Sequence, residues 1–146
     1  MIAGKLLNLL AYCLLDEGKP QEAIELWDEA VEIFEKFGDQ VGVIHCQSGL
    51  MCGYFNLGLY DECIECGTRG VRLAQESGDD QLLLLVIGNI AYHYFLLEKY
   101  EEAKDTIDLV RCLKEPEVEG NKIALDQLEA GIHLIYNELE SAKFFY

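Results

Sequence analysis

The chain has 146 residues, enough for one domain or a short array that behaves as one. Hydrophobic residues make up 51% of it, which supplies a core and excludes disorder. With 27 Asp and Glu against 11 Lys and Arg the net charge is −16, so the surface repels phosphate backbones and anionic lipid and argues against nucleic-acid or membrane partners.

In chain order, the first predicted helix runs from about Gly4 to Glu17, with Leu6, Leu7, Leu10 and Leu14 on one face. Lys5 and the leucine run after it resemble a secretory signal. However, Asp16 and Glu17 close the run, no small-residue cleavage site follows, and the run keeps register with later segments. Gly18 suits a left-handed helix end and Pro20 the first turn of the next helix. That second helix, about Pro20 to Phe37, carries Ala23, Trp27, Ala30 and Phe34 as its apolar stripe and an acid-rich opposite face. Gly38-Asp39 then ends one helix and caps the next, as Gly78-Asp79 does again. Helices three and four are expected over Gln40–Leu57 and Tyr60–Glu76, and the next pair over Asp80–Leu97 and Tyr100–Lys114. Glu98 stands where the first two units have Gly18 and Gly58, which predicts a third turn that is strained or differently shaped. Lys114–Gly120 is an irregular connector holding Pro116; a seventh helix from Asn121 to about Tyr136 and a stunted eighth follow.

These pairs repeat at a spacing of 40. Gly88–Ala103 (GNIAYHYFLLEKYEEA) lands on Ser48–Cys63 and again on Asn8–Ala23. Leu10, Leu50 and Ile90 align, followed by Ala11, Met51 and Ala91, and then by Leu14, Tyr54 and Tyr94. In the second helices Ala23, Cys63 and Ala103 align, as do Trp27, Gly67 and Ile107, and Ala30, Gly70 and Val110. The pattern resembles the tetratricopeptide repeat, in its long variety with spacing near 40 residues. The resemblance implies an all-α, right-handed superhelical stack of antiparallel helix pairs, with about seven or eight helices here. The expected repeats are about 4–39, 40–79 and 80–115, with a partial fourth over 121–146, in one domain.

In that family the first helices line a concave groove that binds an extended peptide or a partner's helix without chemistry. On this chain the corresponding positions are Asn8, Tyr12, His45, Ser48, Cys52, Phe55, Asn89, Tyr92 and Phe95. An aromatic ladder with interspersed amides suits recognition of a peptide's backbone and apolar side chains, and phenylalanines 55 and 95 equally suit packing between first helices. Lys5 is the groove's lone base, which disfavours the family's mode of gripping an acidic C-terminus. The expected partner is therefore a protein or extended peptide, apolar or basic rather than acidic.

Chemistry finds little support. Cys63-x2-Cys66 has zinc-like spacing, but a helical pair at that spacing splits between core and outer face. The six cysteines lie in helical patterns among apolar neighbours, so reduced thiols and a cytoplasmic setting are expected, with no metal or other cofactor. His45, His93 and His133 lack a nucleophile or metal partner at a telling spacing, and no catalytic motif is present, so an enzyme is not expected. The middle unit places Gly49, Gly53, Gly67 and Gly70 inside helices. Close helix approach beside Trp27 or Tyr54 explains them, ahead of a recess for a ligand.

Three functional readings follow: a peptide- or protein-binding module, the sensor portion of a longer regulator, and a self-assembling scaffold. For the last, Ile132, Ile135, Phe144, Phe145 and Tyr146 are the expected oligomer surface, joining a homodimer through C-terminal helices.

Overall fold

Five residues in the left-handed region make the corners among the described residues, and four of them are glycines. Gly18, Gly38, Gly58 and Gly78 have φ of 79°, 68°, 74° and 69°, a backbone that other residues adopt at a cost. The computed structural model describes residues 2–111 and, further on, Asp126, Ala130, His133, Leu134 and Asn137, each helical and exposed. Six helices run in order: α1 (Ile2–Asp16), α2 (Pro20–Lys36), α3 (Gln40–Asn56), α4 (Tyr60–Ser77), α5 (Asp80–Leu96) and α6 (Tyr100–Arg111). All regular structure among the described residues is helical. The expected connector, most of the seventh helix, the eighth, and Ile132, Ile135, Phe144, Phe145 and Tyr146 lie outside the described residues.

The chain divides into two compact units, residues 1–86 and 87–146. In the first, α1 packs on α2, α2 on α3, α3 on α4, and α1 also meets α3. Its core joins Ala11, Ile24, Trp27, Ala30, Phe34 and Leu50. In the second unit Ala91 of α5 meets Ala103 and Ile107 of α6, with Tyr94, Phe95 and Tyr100 packed around them.

The caps follow the expected chemistry. Asp39 accepts from the Gly42 amide at 3.0 Å, and Asp79 from the Leu82 amide at 3.0 Å, so both carboxylates satisfy a first-turn donor. Pro20 opens α2 at its first position, where its missing N–H leaves nothing unpaired.

Close approach explains glycines of the middle unit. A Cβ on Gly49 would overlap the Trp27 indole, one on Gly42 the Phe34 ring, and one on Gly53 the Ile24 side chain. The α3 face that α2 packs on is therefore small by necessity, so that α2's large residues fit within ordinary packing distances.

The face of α1 differs from the expected stripe. Its buried residues are Gly4 and Ala11, with Leu7 and Leu14 packed half-buried beside the core. Leu6 and Leu10, expected on that stripe, are exposed. Small residues on the inner side let α2 come close, since even a Cβ on Gly4 would press on the Phe34 ring.

A polar residue sits in the core of α3. Gln47 is 2% exposed, and its Nε2 has no hydrogen-bond partner among the described residues. Leu7 and Ile87 occupy the matching positions of the other units, so an apolar side chain satisfies the same place.

The third turn keeps the shape of the others. The Gly58 amide donates to the Phe55 carbonyl at 3.0 Å and the Leu59 amide to Tyr54 at 3.0 Å. The Glu98 amide likewise donates to Phe95 at 3.0 Å and Lys99 to Tyr94 at 2.9 Å. Glu98 meets this pattern at φ 59°, so of the two expected outcomes the turn takes the strain. Strain of roughly 1–2 kcal/mol for a non-glycine residue is partly offset by its smaller unfolded-state entropy. Glu98→Gly should therefore stabilise the chain by up to about 1 kcal/mol, whereas Gly58→Ala should cost about 1 kcal/mol, both read from urea unfolding.

Candidate functional site

The nine groove candidates fall into several environments. In the first unit Asn8 and Tyr12, one turn apart on α1, both serve Trp27. The indole N–H donates to Asn8 Oδ1 at 2.8 Å, and the Tyr12 ring stands edge-on to the indole at 5.1 Å and 81°. Tyr12, expected among the groove residues, is half-buried; burial pushes its hydroxyl up to about 12, with Cys52 and Cys46 adding to the shift. On α3, His45 is exposed, while Ser48 and Cys52 are half-buried. The Cys52 carbonyl accepts from the Asn56 side chain at 2.8 Å.

The phenylalanines act within their own helix pair. The Phe55 ring lies 5.5 Å from Tyr60, and the Phe95 ring 5.7 Å from Tyr100. Each pins the end of a first helix to the start of the second, so both support the turn rather than standing as free surface. In the second unit Tyr92 is 49% exposed. Asn89 is half-buried, and its backbone carbonyl lies 2.7 Å from His93 Nδ1, the geometry of an Nδ1–H donor.

Burial also governs the thiols. It pushes Cys46 and Cys63 up to about 12 and Cys66 to about 11, far from the thiolate that nucleophilic or ligand chemistry requires. Among the described residues no group of His, Cys, Asp and Glu is placed to hold a metal ion.

The sequence reading missed a cavity of about 580 Å³ in the first unit. Phe34, Val43 and Leu73 line it with Asp39, Glu35 and Arg69, and none of the nine groove candidates does. Arg69 of α4 pairs with Glu35 of α2 at 3.1 Å, both half-exposed, a contact worth about 1 kcal/mol or less. Nothing in the repeat register marks this pair, because the two residues are 34 apart on different helices.

Residues 4–37 match the family model for the tetratricopeptide repeat. No curated protein matches the chain in sequence. Among solved structures, the apo form of RapI is similar, with a TM-score of 0.73 over 92% of this chain at 17% identity. The chain spans 39% of that structure's chain. The chain thus has the fold of a tetratricopeptide-like helical repeat, and repeats of that kind generally mediate protein–protein interaction. No described helix is long and apolar enough to cross a membrane.

His93 carries a pH prediction. Burial lowers its pKa from the ordinary 6.5, outweighing the hydrogen bond with the Asn89 carbonyl, so the unfolded chain takes up the proton first. The stability this neutral imidazole contributes is complete above pH 6.5 and falls as pH drops below it, by at most about 1.4 kcal/mol per pH unit. Urea unfolding between pH 7.5 and 5.5 should show a steeper loss for the parent chain than for His93→Gln.

Proposed function

We propose that the chain is a non-catalytic protein- or peptide-binding module whose ligand lies along first-helix surfaces. The observation that carries this reading is Tyr92, a half-exposed aromatic on α5 with Asn89 a turn away. An exposed tyrosine offers a rigid apolar face and a polar tip, the kind of side chain that anchors protein contacts. A neighbouring amide suits a peptide's main chain. His45 and Ser48 on α3 contribute in the same way. A net charge of −16 makes an apolar or basic ligand the better match and slows acidic ones.

The reading includes one helical-repeat domain with units at 4–39, 40–79 and 80–115 and a partial fourth over 121–146, in the cytoplasm with its thiols reduced. A second reading is supported by length. The chain spans 39% of the similar structure, which suits a sensor portion within a longer regulator.

The test begins with peptides selected from a random display library on the folded chain. Asn89→Ala and Tyr92→Ala should each weaken the best peptide by about tenfold or more, with unchanged circular dichroism. Unchanged affinity in both folded variants would place the ligand elsewhere.

A further inference from the structure

The cavity of the first unit lies where α2 ends, α3 begins and α4 ends. Phe34 walls it from α2, Val43 from α3 and Leu73 from α4, so its body is apolar. Every wall comes from these three helices or from the turn between α2 and α3. Its volume of about 580 Å³ falls within the roughly 300–1,000 Å³ of small-molecule sites. The longest wall, Arg69 to Ser77 on α4, is about 12 Å at a helix's rise per residue. That length holds only three or four residues of extended peptide at about 3.3 Å each. A small molecule fits it better than a peptide segment.

The charges around it say which small molecule. Glu35 and Asp39 line the cavity with a single base, Arg69, and that base is already engaged: its Nη2 lies 3.1 Å from Glu35 Oε1. Asp39 Oδ1 accepts from the Gly42 amide at 3.0 Å, which caps α3 and answers the positive end of that helix. The second oxygens, Glu35 Oε2 and Asp39 Oδ2, accept no hydrogen bond among the described residues. Gly38, just past α2, and Ser77, the last residue of α4, also line the cavity, so two helix ends bring their negative poles to it. An ammonium has three donors, enough for both unused oxygens at once. A carboxylate or phosphate would instead meet two acids and an occupied base, on a chain at −16.

We infer that this cavity binds a small amphipathic amine, its ammonium held between Glu35 and Asp39 and its apolar body against Phe34, Val43 and Leu73. Glu35 is then shared between the ligand and Arg69, so Arg69 competes with the ligand instead of recognising it. Both carboxylates are needed, because the charge-assisted hydrogen bonds to them fix which end of the molecule faces the rim. None of the nine groove candidates lines the cavity, so this reading and the one on α5 can fail separately.

Titration of the isotope-labelled full chain with tryptamine, followed by amide NMR, is the test. A Kd of about 1 mM or tighter is expected for a ligand of this size, with the shifts gathered at Asp39, Val43 and Leu73. Indole-3-propionate presents the same ring with a carboxylate and should bind at least about tenfold more weakly. Glu35→Gln and Asp39→Asn should each weaken tryptamine by about three- to tenfold. Glu35 is exposed and asparagine still caps a helix, so circular dichroism should not change in either variant. Arg69→Gln removes the competitor and should tighten tryptamine by about two- to fivefold. No shifts at about 10 mM tryptamine, a propionate that binds as well as the amine, or loss of binding in Arg69→Gln would each overturn the proposal. Shifts confined to Asn89 and Tyr92 would overturn it as well, and would assign the amine to the α5 surface.

Discussion

The indole of Trp27 has no exposed surface, and residues of two neighbouring helices must fit around it at once. Asn8 supplies the acceptor for its N–H at 2.8 Å, Tyr12 meets its face edge-on, and Gly49 and Gly53 leave the room its ring occupies. A buried indole without an acceptor would leave a donor unpaired, and without the glycines the ring would overlap α3. Loss of a side chain of this size from a core costs about 3–5 kcal/mol, a large part of the stability of a small domain. The packing of α1, α2 and α3 therefore depends on one side chain of α2.

That constraint accounts for the way the units depart from one another. The repeat would tolerate a larger residue at Gly42, Gly49 and Gly53 only if α2 were slimmer, and α1 has larger residues there. Asn8 and Tyr12, which a peptide-binding reading would spend on a ligand, are engaged in seating Trp27. Of the nine groove candidates only His45 on α3 and Tyr92 on α5 are exposed, so any ligand contact in the first unit rests less on aromatics than the register suggests. Buried cysteines with thiols pushed well above their usual range pack as small hydrophobes in the same scheme.

Much of the fold was legible because turn chemistry is local. Gly18, Gly58, Asp39, Asp79 and Pro20 each act within a few residues, and the bounds of α1 to α5 and the start of α6 fall within a residue or two of those expected. The working face of α1 was not legible, because its leucines surround the helix and periodicity cannot choose among them. Gly4 and Ala11 were the usable sign, since α2 can come close only where side chains are small. Tyr12 was misplaced for a related reason: its register mate Tyr92 is exposed, but Ile107 stands on α6 where Trp27 stands on α2. The α2–α4 cavity has no signature at all in a 40-residue register. Its walls come from α2, α3 and α4 within the first unit, and Glu35 and Arg69 meet only after folding.

A double-mutant cycle between Trp27 and Gly49 tests the dependence most directly. Gly49→Ala in the parent chain forces a methyl onto the indole and should cost about 1–3 kcal/mol in urea unfolding. In a Trp27→Leu background the space is free, and the same change should be neutral or stabilising by up to about 1 kcal/mol, the usual gain of alanine over glycine in a helix. The account predicts a coupling of more than about 1 kcal/mol. Effects that add to within about 0.5 kcal/mol would contradict it, since the indole would then not be what holds α2 against α3.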